Sequence, residues 1–143
     1  MTEDERWELL VRLDDEHLRG GVQLSEWCSL IVREADVAFV RDAQLASILT
    51  AVAGMETYLR AEMQRDGVGK NLAQLIDTAD IEEDLRDDLH RLRRYRNRWV
   101  HVEAAWDDNE VLAHPERFEG ALEDMAFFAA RVLRRTIYSD QLL

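Results

Sequence analysis

The sequence predicts an all-α protein, an antiparallel bundle of four to five helices, and three observations predict it. Proline occurs once and glycine six times in 143 residues, while Leu, Ala, Glu, Arg and Asp dominate, the usage of helices rather than of a turn-rich sheet. Apolar residues recur at three- and four-residue spacing over long stretches. Hydrophobic residues make up 47% of the chain, enough for one core without cross-links. No repeat, low-complexity tract or linker divides it, so residues 1–143 are expected to form a single domain, with 1–24 as an N-terminal extension.

That extension reads two ways. Trp7, Leu9, Val11 and Leu13 alternate as in a strand, whereas Thr2 followed by Glu3, Asp4 and Glu5 looks like a helix start, and helix is preferred. Gly20-Gly21 breaks the chain, and Ser25 can cap a helix with Trp27, Leu30 and Ile31 on one face, fraying or bending near Asp36. From about Asp42 to Arg65 a long amphipathic helix carries Leu45, Ile48, Leu49, Val52, Met55, Leu59 and Met63, with Gly67 and Gly69 as its stop. Asn71 opens a short apolar turn through Leu72, Leu75 and Ile76. Asp80 with Glu83 then starts a second long helix bearing Ile81, Leu85, Leu89, Leu92 and Trp99. After His101 the chain is polar and irregular until Pro115, suited to a first helical position, opens the last helix, with Phe118, Leu122, Met125, Ala129, Val132 and Thr136 as its core stripe.

Composition also bounds function. The single cysteine, Cys28, precludes an intrachain disulfide and reads as a small core residue. The acidic N-terminus is unlike a signal peptide and no apolar run approaches a membrane span, so a cytoplasmic protein without membrane contact is expected. A net charge of −12 argues against a broad phosphate-neutralising surface. Between Arg86 and Arg98, however, six arginines face only Asp87 and Asp88, a local net charge of +4.

Two charges stand where core residues are expected. Glu56 falls within the stripe of Leu45, Leu49, Val52 and Leu59, and Arg96 between Leu85, Leu89, Leu92 and Trp99. They read either as structural, a buried ion pair or one charge snorkelling out at the rim of the stripe, or as the mark of a polar pocket. The second reading gains from Asn97, Arg98 and His101, which put an amide, a second guanidinium and an imidazole within six residues of chain. On an undisturbed helix positions 96 and 101 lie about 140° apart. The helix is therefore expected to loosen after Trp99, or a two-fold dimer to bring Arg96 of one subunit near His101 of the other. Arg91, Arg93, Arg94 and Arg98 can guide a nucleic-acid backbone or form a solvated face with pairs such as Asp87–Arg91. His90, His101 and His114 with Glu103, Asp107 and Asp108 show no recognised metal-ligand spacing, so no metal site is assigned. His17 and His114 read as solvated or capping, and Trp106 as an anchor of the irregular segment.

The stretch from Arg96 through Asn97, Arg98, Trp99 and Val100 to His101 resembles the signature of the HEPN superfamily: an arginine, a short spacer led by a polar residue, then histidine. AVAGMETYLRAEM resembles that family's helix with an acidic residue and GVGKNLAQLI its connecting turn, so the resemblance spans roughly residues 36–138. It implies an antiparallel bundle that forms a homodimer and joins two motifs in one cleft, and a metal-independent endoribonuclease that needs no cofactor. His101 would be the acid/base, Arg96 would bind phosphate, Asn97 would orient the site or bind phosphate, and Glu56 would orient Arg96 or His101. A toxin or antiviral defence effector is implied, with RNA as substrate and an antitoxin or defence protein as partner. The alternative is a non-catalytic HEPN domain that binds a protein or a nucleotide. In the toxin branch paired with nucleotidyltransferase antitoxins a tyrosine commonly stands two residues beyond the histidine; Glu103 stands there, so that branch is not supported.

Overall fold

A computed structural model describes residues 1–64, 68–107 and 109–143. They form α1 (Glu3–His17), α2 (Glu26–Val40), α3 (Gln44–Thr57), α4 (Leu72–Thr78), α5 (Glu83–Val100), α6 (Glu110–Ala113) and α7 (Pro115–Ile137). A π-helical stretch, Tyr58–Met63, continues α3. Among the described residues the only β-type pairing is an isolated antiparallel bridge between Gly21 and Leu142. Among the described residues no helix is long and apolar enough to cross a membrane. The end of the long helix at Arg65 and its stop at Gly67 lie outside the described residues.

Side-chain caps set several helix starts. The Thr2 hydroxyl accepts the Glu5 N–H at 3.1 Å while the Glu5 carboxylate accepts the Thr2 N–H at 2.8 Å, so the acidic start prevails over the strand-like alternation in α1. Ser25 caps α2 through Cys28 N–H, and Asn71 with Gln74 forms a second capping box on α4. Pro115 is the first residue of α7. The start of α5 differs from expectation. Asp80 is exposed in the preceding loop and the helix begins at Glu83, because Arg86 reaches back to the carbonyls of Ile76, Asp77, Ala79 and Ile81 and holds 79–81 in a turn. The irregular stretch after His101 contains the single-turn helix α6.

α3 packs mainly against α2 and α7, and α5 lies against α3, α4 and α7. Ser47 Oγ donates to Ala35 O, and a Cβ at Gly54 would lie 3.5 Å from Ile31 and 3.3 Å from Leu133, so α2 and α3 run antiparallel with α7 close against both. The buried side of α3 is Ser47, Ile48, Ala51, Val52, Gly54 and Met55. Its leucine-weighted stripe was therefore centred too far round. Small residues let α2 approach closely, and Leu45, Leu49 and Glu56 lie at the edge, only half-buried.

α2 is corrected in the same way. Trp27 is 76% exposed and Leu30 is exposed, whereas Cys28, Ala35, Phe39 and Val40 are buried. Nor does α2 bend at Asp36. It runs on to Val40, and the Asp36 carboxylate is held by both Arg134 Nη atoms at 2.9 and 3.0 Å. Arg134 Nε also donates to Asp14 at 2.9 Å, and the Tyr138 hydroxyl donates to the same carboxylate oxygen at 2.6 Å. Burial alone would lower the Arg134 pKa, but the hydrogen bonds and charges of Asp36 and Asp14 hold it above its ordinary value. A second buried arginine, Arg6, donates to Asp42 at 2.9 Å and to Phe39 O at 3.4 Å, beneath the α2–α3 turn.

Two buried groups and one half-buried group make alkaline stability measurable. Burial, reinforced by the Glu62 charge, pushes the Cys28 thiol from 9.0 up to about 11. Burial likewise raises Tyr58, and burial with the bond to Asp14 raises Tyr138. Raised folded-state pKa values contribute stability that is whole below the unfolded values and is lost as pH climbs through the folded ones. The urea midpoint is therefore expected to hold to about pH 9 and to fall between pH 9 and 11; Cys28→Ala should flatten the first part of that fall. A midpoint flat to pH 11 would contradict this.

Candidate functional site

Arg96, Asn97 and Arg98 lie on the last two turns of α5 and His101 is the residue beyond. Arg96 lies on the core-facing stripe and is half-buried, and its guanidinium makes no hydrogen bond or ion pair with the described residues. Its Nε, the Asn97 Oδ1 and the Trp99 Nε1 are all shut from solvent without a partner, three of four such side-chain atoms among the described residues. Each orphaned polar atom costs on the order of 1–3 kcal/mol, so bundle stability alone gives no reason for the cluster. α5 stays regular through Val100. His101 is its C-cap at φ −126° and ψ 56°, with its N–H donating to Asn97 O at 3.0 Å and its side chain exposed. The helix thus ends one residue later than the expected loosening, with Arg96 turned to the bundle and His101 to solvent.

Glu56 does not meet Arg96 among the ion pairs of the described residues. It accepts from Arg60 Nη1 at 3.1 Å, with its side chain 31% exposed, and Arg60 Nη2 donates to Lys70 O at 2.8 Å. One turn of helix supplies this pair locally, which spacing across helices cannot reveal.

The basic island divides. Arg86 is the clamp on the α4–α5 turn described above. Arg93 Nε donates to His90 Nδ1 at 3.2 Å, and His90 Nε2 in turn donates to Asp77 at 2.7 Å, the tautomer with its proton on Nε2. Arg91 lies over the Phe128 ring, 4.5 Å from its centroid, in place of the expected pair with Asp87. Arg91, Arg94 and Arg98 follow one another at positions i, i+3 and i+7, all exposed, and form a positive edge along α5.

Beside this end of α5 lies a cleft of about 400 Å³ bounded by Trp99, Val102, Val111 and Phe118, with Arg98 and Glu103 also lining it. Trp99 is packed by Tyr95 (centroids 6.5 Å apart) and edge-on by Phe118 (6.2 Å). Trp106, expected to anchor the segment, is instead 97% exposed. A separate cleft of about 440 Å³ is lined by His17, Asp80, Arg135 and Tyr138. Its arginine is already committed to Asp84 and Asp88, and burial lowers the His17 pKa. Among the described residues no three His, Cys, Asp or Glu side chains converge as a metal site; Asp108, weighed as a ligand, lies outside them.

Neither any family model nor any curated protein or solved structure matches this chain significantly.

The arginines that the structure buries, Arg6 and Arg134, were missed from sequence. Arg134 sits in the run Val132-Leu133-Arg134-Arg135-Thr136-Ile137, where apolar density on both sides of a charge was the available signal.

Proposed function

We propose that the chain is a metal-independent endoribonuclease of the HEPN type, acting as a homodimer in which Arg96 and His101 of two subunits combine. The observation that carries this reading is the cluster of unpartnered polar atoms on Arg96, Asn97 and Trp99 beside an exposed histidine. A guanidinium without a protein partner is available to phosphate oxygens, and its fork suits two of them. Neutral imidazole can take the proton from a 2′-hydroxyl, which attacks the adjacent phosphorus. The 5′-oxygen of the next nucleotide leaves and takes up a proton, giving a 2′,3′-cyclic phosphate and a 5′-hydroxyl end. The exposed edge of Arg91, Arg94 and Arg98 supplies backbone attraction on an otherwise acidic protein, with Arg93 beside it steadied by His90. Glu56, held by Arg60, is left outside the reaction. A role as a toxin or defence effector in the cytoplasm, with an antitoxin or defence protein as partner, belongs to the same proposal.

The test is cleavage of an RNA panel by wild type and His101→Ala side by side, in EDTA. Wild type is expected to cut and His101→Ala to be slower by about 10²–10⁴. A 2′-methoxy group at the cut site should block the reaction. Equal rates for the two proteins, or no cleavage by either, would overturn the assignment, and a monomer by light scattering at micromolar concentration would remove the composite site.

A second reading, a non-catalytic HEPN domain that binds a protein or nucleotide and dimerises, is favoured by the net charge of −12 and by the exposure of Trp27 and Leu30 on α2.

A further inference from the structure

We propose that the cleft beside the end of α5 is a nucleobase pocket selective for guanine. Its place at the point of cutting rests on the endoribonuclease reading; its capacity to bind a base does not.

The cleft has the size of a small-ligand site and walls suited to a flat heterocycle. At about 400 Å³ it lies within the roughly 300–1,000 Å³ range of such sites. Trp99 is fixed between Tyr95 and Phe118, so its indole forms a rigid wall, and it keeps that position although its buried Nε1 finds no partner. Val102 and Val111 add apolar surface. Trp106, the most exposed tryptophan of the chain, follows the lining residue Ala105 in sequence and would stack on a base entering the cleft.

The charges around the cleft set the ligand's orientation. Arg98 lines it on the α5 side, three residues before His101, and suits a phosphate. Two carboxylates line it as well, Glu110 on the far side of the loop in sequence and Glu103, which is exposed and without a hydrogen bond or ion pair to the described residues. A carboxylate only accepts, and its two oxygens match two parallel donors. Among the four RNA bases only guanine presents two adjacent donors on its pairing edge, N1–H and N2–H. Adenine and cytosine each present one donor group beside an acceptor, and uracil one donor between two acceptors, so a second carboxylate oxygen would face a lone pair. Glu103, at the position where the toxin branch carries tyrosine, thereby becomes the specificity determinant.

Calorimetric titration with the 3′-monophosphates of the four nucleosides tests this. The guanosine nucleotide is expected to bind at least tenfold more tightly than the others. Glu103→Gln should erase most of that preference, and Trp106→Ala should weaken all four alike; both positions are exposed, so both variants should fold. Equal affinity for the four nucleotides, no binding at millimolar concentration, or a preference unchanged in Glu103→Gln would overturn the pocket. Cleavage mapping separates the two proposals. Guanosine-selective binding without RNA cleavage removes the endoribonuclease and keeps the pocket, whereas cleavage with no guanine at or beside the cut keeps the enzyme and removes the pocket from the point of cutting.

Discussion

Arg134→Ala is expected to lower stability by about 3–5 kcal/mol, the usual cost of removing one partner from a buried ion pair. Arg134 is 3% exposed and is the only group that joins Asp14 on α1 to Asp36 on α2 from within α7, as far as the described residues go. Without it the Asp36 carboxylate, itself largely buried, loses both of its Nη donors, and the Tyr138 hydroxyl holds only Asp14. Part of the loss should be recovered by Arg134→Met combined with Asp36→Asn, because that pair fills the space without leaving a charge behind. Urea denaturation of the three proteins reads both effects. A loss under about 1 kcal/mol for Arg134→Ala would show that water replaces the arginine at no great cost, against the burial seen.

Arg96→Leu is expected to act in opposite directions on fold and activity. Arg96 has no protein partner to lose, and its Nε is an orphan on a stripe otherwise formed by Leu85, Leu89 and Leu92. A leucine there should leave the melting temperature unchanged or higher, by up to about 2 kcal/mol of added stability. If the endoribonuclease reading holds, the same variant should cleave RNA about 10²–10³ times more slowly, and Arg96→Lys should recover little because an ammonium lacks the guanidinium fork. Lower stability together with unimpaired cleavage would make Arg96 a structural residue and would empty the proposed site of its phosphate ligand.

Much of the fold was legible because helix starts carry local chemistry. Thr2, Ser25 and Pro115 each mark a start within a few residues of sequence, and each does so in the structure, whereas Asn71, which reads as opening a turn, caps the helix α4. The faces of α2 and α3 were less legible. Apolar size suggests burial, but close contact between these helices selects Ser47, Ala51 and Gly54, while Trp27 and Leu30 are left outside. Glu56 inherited that error, since a stripe centred on Leu45 and Leu49 places it inside. Long-range charge networks were not legible at all. Nothing local in Asp14, Asp36 and Arg134 announces that three helices bring them together, whereas the crowding of Arg96, Asn97 and His101 in one short stretch was visible from the start. Nor does anything local mark Glu62, an exposed acid that accepts the Ser25 N–H and so ties the start of α2 to the π-helical turn.

The tight connection between α2 and α3 bears on the order in which the chain folds. Only Arg41, Asp42 and Ala43 separate the two helices, and Asp42 takes a left-handed conformation at φ 60° while its carboxylate accepts from both Arg6 and Gln44. Closing so short a loop costs little entropy, whereas the contacts of α3 with α7 wait on a loop of more than fifty residues between Met63 and Pro115. The hairpin is therefore expected to supply the folding nucleus, with α7 docking late. In kinetic terms Ala51→Gly should slow folding, while Ala129→Gly should chiefly speed unfolding. The reverse pattern in stopped-flow kinetics would place α7 in the nucleus and make the hairpin a late addition.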